Sequence, residues 1–268
     1  MDIRDLTVVS RMRRADELAA VLGCGFERPG VFPDTANILI YGGFYDDLIL
    51  AERFLSYTGK TVYVLFTGVD ICELQDAILG TRNYYYALLE ILKGIKVLTV
   101  GRRAESELEY LGVKPAGSVV LPVEVDCEPD AERTAVISYV PDDPFYRFLY
   151  RTDVVERLAV ANKDIELYRT DPVSHFKRAY LNVRLTRHDG QPYDVIALAQ
   201  MGIQSVVSYL DFPYMVSVAD TDNPDIVYGM ALNAIKNYKP DAGEIGEMRD
   251  YYRERYSAEK ARASFELI

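Results

Sequence analysis

The chain has 268 residues, of which 49% are hydrophobic and 26% charged, and its formal net charge is −11. That length fits two layered lobes of about 100–150 residues each, and the composition excludes a disordered or fibrous chain. The acidic sum leaves no basic stripe to neutralise a phosphate backbone, so nucleic acid is not an expected partner; a small anion can still be held where a few basic groups meet a helix N-terminus.

Three widely spaced cysteines, Cys24, Cys72 and Cys127, have neither the even count of a disulfide framework nor metal-type spacing, and read as reduced thiols. No long uncharged apolar run follows the basic residues near the start. Neither a signal peptide nor a transmembrane segment is therefore expected, and the expected location is the cytoplasm.

In chain order, strands are predicted at residues 6–9, 37–41, 61–66, 96–100 and 118–121. Helices are predicted from Ala15, from Asp46, over 72–92 and from Ala104. Short continuous apolar strands alternating with helices imply a parallel sheet covered on both faces. The polar stretch 126–133, broken by Pro129, reads as a linker. The alternation then restarts, with strands at 134–140, 165–168, 179–185, 205–209 and 214–218. Helices are predicted at 144–160, 192–201 and 224–238, the last two opened by Pro192 and Pro224. The expectation is an α/β protein of two Rossmann-like lobes, 1–125 and 134–240, followed by a charged helical tail over 241–268 that packs on the body.

One stretch concentrates chemistry. Along the strand that ends near Arg184, alternate residues Ala179, Leu181, Val183 and Leu185 are apolar, so Arg184 lies on the other face and reaches toward the following loop. That loop, Arg187 to Gln191, leads into a helix with a buried stripe of Val195, Leu198 and Ala199. A strand's carboxyl end running into a helix N-terminus suits a phosphate, because free N–H groups and the helix dipole favour anions. Gly190 allows close backbone approach, and Arg184 or Arg187 can supply charge-assisted hydrogen bonds. The plainer alternative is a simple Asp189-Gly190 turn, with Asp194 satisfying the helix dipole and the arginines solvated.

The run from Arg184 to Ser208 resembles the donor-binding segment of GT-B-fold, nucleotide-sugar-dependent glycosyltransferases of the retaining, group 1-like kind. In that family an acidic residue and a Gly open a helix, and a second Gly precedes a Val-Val strand; here these are Asp189-Gly190 and Gly202 before Val206-Val207. Leu121-Pro-Val-Glu-Val-Asp126 also resembles the Pro-Asn-Gly-Val-Asp stretch between the family's lobes. The resemblance covers the second lobe well and the first in outline.

It implies an acceptor lobe followed by a donor-nucleotide lobe, with sheets facing a cleft. Asp189 and Arg184 would be catalytic. Gly190, Gln191, Pro192, Tyr193, Arg187, Arg147, Arg169 and Thr170 would bind the donor, the last two in the loop that meets the base. Gly42, Gly43 and Tyr45, following a first-lobe strand, would face the cleft and the acceptor, although paired glycines after a strand also make plain turns. The family's second Glu falls on Ala197. His175 and His188 are the two histidines, and only His188, beside Asp189, is placed to orient a sugar hydroxyl.

The function this implies is metal-independent, retaining transfer of a sugar from a UDP- or GDP-sugar to a glycan, lipid or protein acceptor. The nucleotide sugar is a co-substrate, no cofactor or metal is expected, and a homo-oligomer is compatible with the reading. The alternatives are a nucleotide-sugar epimerase of the same fold and a nucleotide-sugar-binding scaffold without catalysis; the missing Glu at Ala197 favours the second of these.

Overall fold

A computed structural model describes the chain apart from Arg13, Tyr57, Thr58, Thr81, Asp126, Thr170, Asp171, Leu210, Asp211 and Asp220, and apart from the side chains of residues 78–80 and 82–85. Two compact units emerge, one of Met1–Pro122 with Tyr256–Ile268, the other of Val123–Arg255.

Unit 1 contains β1 (Leu6–Val9), α1 (Ala15–Leu22), β2 (Gly25–Glu27), β3 (Asn37–Tyr41), α2 (Tyr45–Leu55), β4 (Thr61–Phe66), α3 (Val69–Gly80), α4 (Arg82–Gly94), β5 (Lys96–Val100), α5 (Arg102–Tyr110) and β6 (Gly117–Val119). Its strands are parallel in the order β2-β1-β3-β4-β5-β6. Side-chain alternation distributes the strand residues between two cores. Ile38, Ile40, Val62, Val64 and Phe66 meet Leu48 and Phe54 of α2, Ile71 of α3 and Leu88 of α4. Leu39, Tyr41, Tyr63 and Leu65 meet Leu18 and Leu22 of α1 together with Phe265.

Unit 2 contains β7 (Ala135–Tyr139), α6 (Pro144–Leu149), α7 (Thr152–Ala161), β8 (Ile165–Tyr168), α8 (Pro172–Arg178), β9 (Ala179–Arg184), α9 (Tyr193–Gln200), β10 (Ser205–Val207), β11 (Val216–Ser217), α10 (Pro224–Lys236) and α11 (Ala242–Arg255); α12 (Ala258–Glu266) belongs to unit 1. The five strands are parallel in the order β11-β10-β9-β7-β8. One face packs Leu181, Val183 and Leu185 against Val155 and Leu158 of α7 and Val227 and Ala231 of α10. On the other, α9 is buried from Asp194 to Gln200, and the Gln200 amide donates to the carbonyls of Val123 (2.8 Å) and Tyr252 of α11 (3.3 Å). Gly202, at φ 75°, then turns the chain in the left-handed conformation that commonly ends a helix.

The two sheets share one plan. Counted along each unit, the second strand lies outside the first and the third lies on the first's other side, so the order reverses between β1 and β3 and again between β7 and β9. Ligands of open parallel sheets bind at the carboxyl ends of such a pair. A serine bolts each reversal: Ser10 Oγ donates to the Tyr41 carbonyl and Ser138 Oγ to the Val183 carbonyl, both at 2.7 Å and both buried.

The two-lobe α/β expectation is what the chain adopts, and the differences are local. The helix predicted over 72–92 falls on α3 and α4, which lie on either side of Thr81, a residue outside those described. The helix predicted over 144–160 breaks at Arg151, whose φ of 45° is left-handed. In the tail, Ser257 accepts from the Lys260 N–H and starts a new helix, α12. β2 and α8 were not anticipated, being short and polar.

Candidate functional site

Arg184 is the last residue of β9, at the reversal beside β7. Because Val183 and Leu185 point into the α7–α10 core, Arg184 takes the opposite side, where its guanidinium lies 4.0 Å from the centre of the Tyr150 ring and 5.8 Å from that of Tyr139. Its Nη2 and Nε donate to Asp189 Oδ2 at 2.6 and 3.2 Å, and its Nη1 stands 3.5 Å from Asp194 Oδ2. The three side chains are 9%, 10% and 12% exposed, so the cluster sits largely out of water. Burial opposes the Arg184 charge, but Asp194 and Asp189 outweigh it and raise its pKa further. A desolvated guanidinium over an aromatic ring is stabilised by about 2 kcal/mol.

The loop after β9 is fixed from several sides. Thr186 N–H donates to Ser208 Oγ, which donates back to the Thr186 carbonyl, both at 2.9 Å. Arg187 N–H donates to the Leu149 carbonyl at 2.7 Å, tying the loop to α6. Asp189 Oδ1 accepts from its neighbour Gly190 N–H at 2.9 Å, so both Asp189 oxygens are engaged. Gln191 and Tyr193 are half-buried, Pro192 is buried at the N-cap, and α9 starts at Tyr193.

Asp194, in the first turn of α9, differs from Asp189. Its Oδ2 is buried and has no hydrogen-bond partner among the described residues. Burial pushes its pKa up, against the pull of Arg184 and of the Val195 N–H. Burial likewise raises the hydroxyls of Tyr150 and Tyr168, which keeps both rings neutral beside the charges.

The structure thus brings Arg184, Asp189 and Gly190 together, adds Tyr139, Tyr150 and Asp194, which sequence reasoning did not nominate, and places beside Asp194 Tyr168, which opens the loop expected to meet the base. Arg184 is buried rather than solvated. The other nominated arginines are held elsewhere. Arg187 pairs with Asp222 and lies 4.5 Å from the centre of the Phe148 ring, Arg169 pairs with Asp142 at 2.6 Å, and Arg147 with Glu156 at 2.8 Å. Thr170 lies outside the described residues, as do Asp126 and Asp171. His188 is buried, with its ring centre 5.4 Å from that of Tyr209. Ala197 is fully buried on α9.

In unit 1 the two glycines have identifiable structural causes. Gly42 takes φ 114°, and a Cβ on Gly43 would lie 2.3 Å from the Phe66 ring. Their N–H groups are already used: Gly42 donates to the Leu65 carbonyl at 3.0 Å and Gly43 to Asp70 Oδ2 at 2.8 Å. Buried Asp70 also accepts from the N–H groups of Thr67, Gly68 and Ile71, filling the backbone nest where an anion could have docked. Tyr45, at the start of α2, is exposed. Among the described residues, no three His, Cys, Asp or Glu side chains gather as a metal site, and no helix is long and apolar enough to cross a membrane.

No protein-family model and no curated protein matches the sequence. Solved structures do match. Sucrose-phosphate synthase from Thermosynechococcus elongatus superposes with a TM-score of 0.71 at 8% identity, over 98% of each chain. Anabaena HepE, solved with UDP and glucose, gives 0.70 at 6% identity, over 98% of this chain and 90% of its own. S. aureus TarM gives 0.64 at 12% identity over 86% of this chain, which spans about half of TarM's length (55%). At these identities the likeness establishes architecture: the chain has the GT-B fold of these glycosyltransferases.

Proposed function

We propose that the chain is a glycosyltransferase that draws a sugar from a nucleoside-diphosphate sugar bound on unit 2. The observation that carries this reading is the buried Arg184–Asp189 pair at the β7/β9 reversal, beside the N-terminus of α9, in a fold shared with proteins solved with UDP. In this reading the Asp189 carboxylate accepts hydroxyls of the donor sugar. Arg184 balances charge growing on the leaving diphosphate, and the N–H groups of Gln191 and Tyr193 assist it. The donor is a UDP- or GDP-sugar, the acceptor a glycan, lipid or protein group, transfer is metal-independent and retaining, and the protein acts in the cytoplasm. Tyr45 is the better-placed acceptor contact of its group, because the Gly42 and Gly43 amides are bonded internally.

A second reading, a nucleotide-sugar-binding protein without turnover, is favoured by buried Ala197, which offers no carboxylate where the family carries its second Glu. Two measurements separate these. A nucleotide sugar at about 100 times its Kd adds about 2.7 kcal/mol, which moves a melting point upward by roughly 5 °C or more. Release of UDP or GDP then marks transfer, an epimeric sugar marks epimerisation, and binding without product marks the scaffold. No shift with UDP- or GDP-sugars would overturn both donor readings.

A further inference from the structure

The Arg184 cluster sets two carboxylates against one guanidinium, leaving one negative charge in excess in a largely buried place. Asp189 is fully engaged, Oδ2 by Arg184 and Oδ1 by the Gly190 N–H. Asp194 is held less closely: its Oδ2 is 3.5 Å from Arg184 Nη1 and has no hydrogen-bond partner among the described residues, while the Tyr168 hydroxyl faces the same carboxylate. The Asp194 carboxylate also accepts the Val195 N–H, one of the first-turn donors of α9 that an anion at this helix end would use. The family pattern that nominated Asp189 gives Asp194 no role.

We propose that Asp194 sets the charge selectivity of this site: ionised, it holds the end of α9 and repels an anionic ligand, and only when protonated does it yield that place to the diphosphate of a nucleotide sugar. Binding then takes one proton from solvent onto the Asp194 carboxyl, with no other bond made or broken. The inference rests on the donor reading above. The groups facing Asp194 leave it as the titrating member. Arg184 from β9 stays charged, Tyr168 from β8 and Tyr150 after α6 stay neutral, and Asp189 from the loop is held by Arg184 at 2.6 Å. The direction of the Asp194 shift, upward through burial, agrees.

The test is the affinity for UDP-glucose and for a GDP-sugar from about pH 5 to about pH 8, ligands whose diphosphate carries no proton in that range. Above the Asp194 pKa, Kd should rise by about tenfold per pH unit in the wild type. It should stay flat in Asp194→Asn, and Asp194→Glu, which keeps a carboxylate, should keep the slope. Should Asp194→Asn fail to fold, calorimetry of the wild type in buffers of different ionisation enthalpy supplies the answer, about one proton taken up per ligand bound on the rising limb of the pH profile. Binding with the same slope in Asp194→Asn, or with no proton uptake in the wild type, overturns the role of Asp194 and leaves the donor reading standing. No binding at any pH overturns both.

Discussion

In unit 1 the loop that follows β3, beside the reversal, is tied to the loop that follows β4: Gly43, Thr67, Gly68 and Ile71 all donate their N–H groups to Asp70, and the carboxylate is used up in holding the two loops together. In unit 2 the corresponding reversal, with the same strand order and the same serine bolt, holds its carboxylates chiefly on a side chain, Arg184, and only secondarily on backbone N–H groups. The difference matters because a carboxylate bound by backbone donors cannot leave without opening the loops, whereas one bound by a guanidinium can trade places with a ligand's phosphate or hydroxyl. The loop after the third strand is therefore held by a structural plug in one unit and carries an exchangeable polar cluster in the other.

Substitutions can break that contrast. The largest effect is expected for Arg184→Ala, which strands two buried carboxylates and should cost about 4 kcal/mol of stability along with donor binding, read by denaturant unfolding and by the nucleotide melting shift. Asp70→Ala orphans a set of backbone donors and should cost about 3 kcal/mol while leaving nucleotide affinity unchanged; a lost affinity would mean the unit 1 reversal is not merely a plug. Gly43→Ala, with its Cβ 2.3 Å from the Phe66 ring, should cost about 2 kcal/mol, and Phe66→Leu in the same chain should recover part of it.

The smallest effect concerns Asp47, whose pKa burial pushes up from 3.8 to about 6. Between those values the folded chain keeps a proton that the unfolded chain releases, so stability falls as pH rises from about 4 to about 6. Discounted for its partial exposure to solvent, the change is about 1 kcal/mol. Asp47→Asn should remove that slope and gain a similar amount near neutral pH.

The sheets were legible in the sequence because their apolar runs, such as Ile38 to Tyr41 and Val62 to Phe66, are continuous and flanked by helical periods. The helix break at Arg151 was not, since no Gly or Pro marks the left-handed residue there. At the site, Arg184 and Asp189 could be paired from the strand's alternation and the loop's shortness. Tyr139, Tyr150 and Tyr168 could not, because they reach Arg184 and Asp194 only through the adjacency of β7 to β9 and β8, which strand order decides and local pattern does not. Asp194 was visible only as a helix-dipole partner; that its Oδ2 has no hydrogen-bond partner among the described residues takes three dimensions to see.

Hydrogen exchange with and without a saturating UDP- or GDP-sugar reads the loops of both units in one experiment. Slowed amide exchange is expected over residues 186–195, with residues 42–45 and 67–71 unchanged. Protection at 42–45 and 67–71 with none at 186–195, or none at either, would contradict it.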